Sequence, residues 1–262
     1  MTSIETAAIR DDEATRAALS RIPTTAALDL LKDKEPSRLV LDGVKAIFPL
    51  KGSIAGRART LRFLPARADY KVAPGGSANF KLLDDAQEGD FLVFDAGGWR
   101  HGAVLGDMLA LRAKLNGAVG VATDGVMRDL SGLEEVRLPV FASGTFPVPV
   151  ASTMLAWEAD VPVQCGGALV MPRDWILADQ DAVIVIPECW VEMVCDRFDL
   201  LAGEERFCRA LLNTGLDLRQ AYPMPEALKP LLAAYLASGK LPSPEAVRQA
   251  VGVDSKADDN LR

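Results

Sequence analysis

The stretch GGWRHGAVLGDMLALRAKLNGAVGVATDGVMRD, Gly97 to Asp129, holds one arginine and two carboxylates whose types suit a common task. Arg128 offers a planar, permanently charged fork that matches a carboxylate. Asp129 and Asp107 carry oxygens suited to a hard divalent cation or to the waters around it. Together the three suit a chelating 2-oxo acid. The whole chain has a single histidine, His101, which excludes a site needing two imidazoles from one subunit. A metal here would be hard and oxygen-ligated, Mg²⁺ or Mn²⁺. A plainer reading stands beside this one, with Asp107 as a helix-start residue and Arg128 and Asp129 as solvated loop charges; spacing alone leaves both open.

The elements around these residues decide whether they can meet. Asp107 to Asn116 has helix-favouring residues, opens on an acid suited to the positive end of the helix dipole, and closes at Asn116 and Gly117. Val119 to Thr123 then reads as a short apolar strand ending at the turn pair Asp124 and Gly125. A helix of about ten residues runs roughly 15 Å and a strand of about five returns roughly 17 Å. The helix start and the strand end should therefore lie together, bringing Arg128 and Asp129 to the backbone of Gly106, Asp107, Met108 and Leu109. First-turn N–H groups favour anions, and Gly106 lets a ligand approach the backbone closely.

Elsewhere, Asp11 to Lys34 reads as two helices broken at Pro23, with Thr24 or Thr25 as N-cap. Strands are expected at Val44 to Phe48, Ala58 to Leu64, Phe91 to Phe94, Val119 to Thr123 and Ala182 to Ile186, in a mixed or stacked arrangement. Helices follow from Glu188, around Glu226 to Ser238 and from Pro244 to Val251, before a polar tail from Asp254 to Arg262. The organisation expected is a helical segment over 1–40, an α/β core over 41–187, and a helical region with a frayed end over 188–262. Gly75-Gly76-Ser77 and Gly97-Gly98 lack a phosphate-loop pattern and read as turns.

Composition narrows the function. The chain of 262 residues is 49% hydrophobic and 25% charged, as globular proteins are, and its formal charge of −7 argues against a nucleic-acid partner. Met1 to Glu13 has no basic start followed by an apolar run, and no apolar stretch approaches the roughly 18 residues of a membrane helix. A cytoplasmic enzyme without membrane attachment is expected. Cys165, Cys189, Cys195 and Cys208 form no C-x-x-C pair, so reduced and mostly buried thiols are expected, not zinc ligands. His101 is expected to be structural, and Trp99, Trp157, Trp175 and Trp190 to serve packing.

Gly89-Asp90, Gly106-Asp107-Met108-Leu109, Asp124-Gly125, Arg128-Asp129 and Leu138-Pro139-Val140-Phe141 stand in an order and spacing that resembles the RraA-like family. That family is named for the regulator of ribonuclease E activity A and also contains 4-hydroxy-4-methyl-2-oxoglutarate aldolases, which decarboxylate oxaloacetate as well. The similarity runs from about Leu50 to Tyr222. It implies an α/β/β/α sandwich that assembles into homotrimers or homohexamers with sites between subunits. It further implies that Gly106, Asp107, Met108 and Leu109 bind the substrate carboxylate through N–H groups. Arg128 would contact substrate, Asp129 would ligate Mg²⁺ or Mn²⁺ mostly through water, and Asp107 would orient a water for proton transfer. Glu204 and Glu205 are candidates for a glutamate that family aldolases take from a neighbouring subunit. Pro172-Arg173-Asp174 stands where the family often reads P-G-D, and Gln180-Asp181-Ala182 where it reads D-G. The function implied is metal-dependent C–C lyase chemistry on a 2-oxo acid; a ribonuclease-binding regulator without catalysis is the alternative.

Overall fold

A computed structural model describes residues 12–69 and 77–252 of the chain. The expected turn at Gly75 and Gly76 and the expected frayed tail from Asp254 lie outside the described residues. Two compact units divide at Cys195 and Asp196.

The first unit opens with helices α1 (Asp12–Leu19) and α2 (Thr24–Leu30), then strands β1 (Lys45–Ala46) and β2 (Ile54–Pro65). Next come α3 (Ala78–Asp84), β3 (Asp90–Asp95), β4 (Ala103–Leu105), α4 (Asp107–Leu115), β5 (Gly120–Thr123), β6 (Val126–Met127), α5 (Leu130–Val136) and β7 (Val140–Ala142). The unit closes with β8 (Met154–Ala159), β9 (Val163–Cys165), β10 (Ala168–Val170), β11 (Trp175–Ala178), β12 (Val183–Ile186) and the start of α6 (Glu188–Asn213). The main sheet runs β1-β7-β5-β3-β2-β11-β12, with β8 also on β2. β2, β3, β5 and β7 are mutually parallel, and β1, β8, β11 and β12 join antiparallel. This is the mixed α/β architecture expected.

Strand periodicity explains the layers. In β3, Leu92 and Phe94 face a core with Leu82 of α3, Ala110 and Ala113 of α4 and Leu133 of α5. Phe91 and Val93 face the opposite core, with Val163 and Cys165 of β9 and Ala168 and Val170 of β10. The sheet is thus covered by helices on one side and by the small β9–β10 ladder on the other. The sheet interior tolerates no extra bulk at Gly56, where an added Cβ would lie 2.6 Å from Val119 Cγ2 and 2.7 Å from the Gly89 carbonyl oxygen.

The N-terminal helices break at Pro23, as expected, but neither threonine caps α2. Pro23 occupies the N-cap, in extended conformation and without a capping side chain. Thr24 is instead held by buried Asp179: its N–H donates to Oδ2 at 2.7 Å and its hydroxyl donates to Oδ1 at 2.7 Å. Asp179 also accepts the N–H groups of Asp181 at 2.9 Å and Ala182 at 3.2 Å. A distant carboxylate outcompetes the local cap because it satisfies several buried donors at once. The α1 end is tied by Asp12, whose Oδ1 accepts from Arg57 Nη2 at 2.7 Å and whose Oδ2 accepts from Arg173 at 2.7 Å. The Arg57 guanidinium lies 4.2 Å from the buried Trp175 ring.

The second unit holds the rest of α6 with α7 (Leu218–Ala221), α8 (Lys229–Ser238) and α9 (Pro244–Ala250). Its own core contains Phe207, Leu211, Leu216, Leu228, Leu232 and Val247. Asp217 and Gln220 form a capping box on α7, and Ser243 Oγ accepts the Ala246 N–H at 3.2 Å on α9. Among the described residues no helix is long and apolar enough to cross a membrane. Of the cysteines expected to be mostly buried, Cys165 and Cys208 are buried, Cys195 is half-buried and Cys189 is exposed.

Two outcomes test these ties. Asp179→Ala strands several buried donors and should lower unfolding stability by about 3 kcal/mol in a denaturant titration; a loss below about 0.5 kcal/mol would show that Asp179 does not anchor α2. The Arg57 hydrogen bond, opposed by burial, holds the Asp12 carboxyl below its ordinary value of 3.8. A depressed carboxyl stabilises the fold above its unfolded-state pKa and loses that contribution as pH falls through its folded one. The melting-temperature gap between wild type and Asp12→Asn should therefore be full near neutrality and shrink as pH drops through and below that ordinary value.

Candidate active site

The candidate residues sit beyond the C-terminal ends of parallel strands β3 and β5, where α/β sheets commonly bind ligands. Two very short strands carry them there. β4 and β6 pair in parallel, and the Arg128 N–H donates to the Leu105 carbonyl at 3.1 Å. On the far side of β6, Met127 N–H donates to the Gly144 carbonyl at 3.1 Å and Phe146 N–H to the Met127 carbonyl at 2.9 Å. Val104, Leu105, Val126 and Met127 are all buried. The two ends, Gly106 and Arg128-Asp129, are consequently held side by side, as the helix and strand lengths predict.

Gly106 is the N-cap of α4, and its carbonyl accepts the Ala110 N–H at 3.1 Å. A Cβ on Gly106 would stand 2.5 Å from Asp129 Oδ2 and 3.4 Å from Arg128 Nε. Glycine is needed here for space, since its φ of −128° is open to any residue. Helix geometry leaves the N–H groups of Asp107, Met108 and Leu109 without intrahelical acceptors. That of Met108 is taken by Asp107 Oδ1 at 2.7 Å.

Asp129 is the N-cap of α5 in left-handed conformation, φ 60° and ψ 47°, and its carbonyl accepts the Leu133 N–H at 2.9 Å. An N-cap aspartate ordinarily has extended backbone and bonds its own helix. Here the carboxylate makes no cap bond, and Oδ2 instead lies 3.1 Å from Arg128 Nε. Left-handed backbone at a non-glycine residue costs about 1–2 kcal/mol, and it aims the carboxylate across at α4. Arg128 and Asp129 side chains are 37% and 41% exposed, so their pair remains open to a ligand. Asp107 Oδ2 lies against the Cα of Gly132 in α5, where any Cβ would collide with it.

The donor set fits a hard cation held largely through water. Asp129 brings a carboxylate that no cap bond occupies, and glycines at 106 and 132 provide the space that the Asp129 and Asp107 carboxylates fill. Among the described residues, no three of His, Cys, Asp or Glu gather to hold a metal ion. Water and substrate would thus complete the coordination, as is usual for Mg²⁺. His101 is exposed, its ring edge-on to Trp99 at 5.4 Å and to Phe146 at 6.0 Å. Glu204 and Glu205 lie on α6 in the second unit.

Two supporting residues escaped the sequence reading. Asp124, read as half of a turn, accepts the N–H groups of Ala96 at 2.8 Å and Gly98 at 3.1 Å, fixing the loop after β3 to the loop after β5. Burial pushes its carboxyl above the ordinary range, against these bonds. Gly97 and Gly98 take positive φ in that loop, as their turn reading requires. Gly132 beneath Asp107 was signalled only as a lone glycine inside a helical pattern.

Comparisons with known proteins agree on one kinship. The family model described as RraA-like, Aldolase/RraA, matches residues 24–185. The 4-hydroxy-4-methyl-2-oxoglutarate aldolase of Thermus thermophilus is 33% identical over 158 residues, covering 60% of this chain and 90% of that one. A Halalkalibacterium halodurans protein given the same aldolase name provisionally is 33% identical over 133 residues, 51% of this chain, and the chain spans only 63% of its length. The crystal structure of Streptomyces coelicolor RraAS2, described as an unusual member of the RNase ES inhibitor RraA protein family, superposes with a TM-score of 0.70. It is 31% identical and the match covers 78% of this chain and 99% of that one.

The close approach at Gly106 is directly testable. Gly106→Ala should leave the helical content of the chain unchanged in circular dichroism yet weaken Mn²⁺ binding about tenfold, because the new methyl displaces the Asp129 carboxylate. Unchanged Mn²⁺ affinity in a folded variant would separate Asp129 from metal binding.

Proposed function

The chain belongs to the RraA-like family, and from that membership we propose that it is a divalent-metal-dependent lyase. It cleaves the C–C bond next to a 2-oxo acid, in the manner of a 4-hydroxy-4-methyl-2-oxoglutarate aldolase or an oxaloacetate decarboxylase. The observation that carries this reading is the apposition of the Arg128–Asp129 pair to the α4 N-terminus across Gly106. The aldolase name of the Thermus relative supports it.

Each residue then has a physical role. The guanidinium of Arg128, engaged by Asp129 at Nε, presents its remaining N–H groups to the carboxylate and 2-oxo oxygens of the substrate. The N–H groups of Asp107 and Leu109 add neutral donors at the positive end of α4. Asp129, with Asp107 beside it, would hold the cation, Mg²⁺ or Mn²⁺. When bound, that cation supplies Lewis-acid stabilisation of the charge developing on the 2-oxo oxygen. For an aldol substrate the distal hydroxyl must lose its proton, and a water oriented by Asp107 receives it. Decarboxylation needs no such base, so one site serves both reactions. Assembly into trimers or hexamers, with a glutamate such as Glu204 or Glu205 lent across subunits, belongs to the same proposal, as does a cytoplasmic location.

Purified chain should release pyruvate from oxaloacetate with Mg²⁺ or Mn²⁺, lose that activity to a chelator, and regain it with added Mn²⁺. Arg128→Lys keeps the charge but loses the fork, and should lower kcat/KM roughly a hundredfold. Asp129→Asn should recover part of its activity at high Mn²⁺. Folded variants that match wild type in rate and metal requirement would remove these residues from the site. Absence of turnover on any 2-oxo acid, with binding to a ribonuclease, would instead favour the regulator reading that the Streptomyces relative's description suggests.

A further inference from the structure

At the end of α5 away from Asp129, a cleft of about 450 Å³ opens between that helix and the β1–β7 edge of the sheet. Its walls include Phe48, Leu50, Leu138 and Phe141, and its charged members are Glu134 and Arg137. The volume falls within the range of small-molecule pockets, and an apolar lining with few polar groups is their usual composition. Arg137 is the C-cap of α5 and takes left-handed backbone, φ 56° and ψ 31°. Glycine is the customary residue at a left-handed helix end because a side chain strains it. An arginine kept there places a guanidinium beside the cleft at a conformational cost.

That guanidinium is exposed and forms no ion pair among the described residues, Glu134 one turn earlier included. It is not needed for capping either. The Val136 carbonyl at the helix end already accepts from Lys114 Nζ, and the Arg137 backbone N–H donates to the Leu133 carbonyl at 3.2 Å. Apolar walls beside a cation that pairs with no carboxylate among the described residues define the complementary ligand. Glu134 on the same wall disfavours a second negative charge.

We propose that this cleft binds a small monocarboxylate with an apolar body, the body against Phe48, Leu50 and Phe141 and the carboxylate on Arg137. The inference concerns a ligand that the lyase reaction does not require, and it stands or falls apart from the proposed activity.

The test uses the full chain and 3-phenylpropanoate as probe, with 3-phenylpropanamide as its uncharged counterpart, read by calorimetry and ligand-observed NMR. Wild type should bind the acid about tenfold more tightly than the amide, as expected for one charge-assisted contact. Arg137→Gln, at an exposed position, should erase that difference, Arg137→Lys should keep part of it, and Ala46→Phe, which fills the cleft, should abolish binding of both. Arg128→Lys should leave binding unchanged. The proposal is overturned if the acid does not bind at millimolar concentration, or if Arg137→Gln binds it as wild type does. It is equally overturned if Arg128→Lys removes binding, which places the probe at the candidate active site. Dissociation of an oligomer by Ala46→Phe or Arg137→Gln in sedimentation equilibrium would show that a second copy fills the cleft, and would also overturn it.

Discussion

A single hydrogen bond, from the Arg128 N–H to the Leu105 carbonyl, sets the distance between the two halves of the candidate site. It closes a parallel pair made of one three-residue and one two-residue strand, too short to be stable alone. Their stability comes from position: both strands are buried, and the segments around Gly144 and Val148 bond them from outside. The large sheet supports this small one through Asp124, which anchors the loop after β3 to the loop after β5. Once that pairing is made, Arg128 and Asp129 reach toward α4, and the absence of a Cβ at Gly106 leaves the space that the Asp129 carboxylate occupies.

Helix α5 carries unusual backbone at both ends. Asp129 and Arg137 are both left-handed, and in both a charged residue stands where a helix boundary would more often use extended backbone or glycine. The same device serves opposite charges. It turns the Asp129 carboxylate away from its own helix and toward Arg128, and it leaves Arg137 beside an apolar cleft. Strain of this sort persists only where surrounding contacts over-determine it. Here those contacts are the buried Leu133 and Leu138 and the Gly132 backbone seated against Asp107.

Much of the fold was legible because its signals are local. The α4–β5 unit follows from helix formers, a C-terminal Asn-Gly and an apolar strand, and the matched lengths were enough to bring Gly106 to Arg128. Helices α8 and α9 of the second unit were legible behind their prolines. What stayed hidden is non-local or too short to have a period. β4 and β6 span too few residues to alternate, and nothing near Thr24 announces that a carboxylate 155 residues away will take its hydroxyl from the expected cap. The helix after Asp129 and the left-handed residue that opens it were equally silent, since the sequence reading placed no helix after Arg128 and Asp129. The residue types of the candidate site could be read; the backbone that aims them could not.

The twelve-residue strand β2 pairs along its length with β3 on one edge and with β11 and then β8 on the other. Its register with β11 joins Ile54 to Ala178 and Arg57 to Trp175. A ribosome making this chain must therefore deliver every residue up to Ala178 before the Ile54 end of that edge finds its mate. Closing so long a loop is slow, and an unpaired edge invites other chains in the meantime. Until then the strand carries the positive charge of Arg57, Arg59 and Arg62, and like charge disfavours pairing between two copies of one strand.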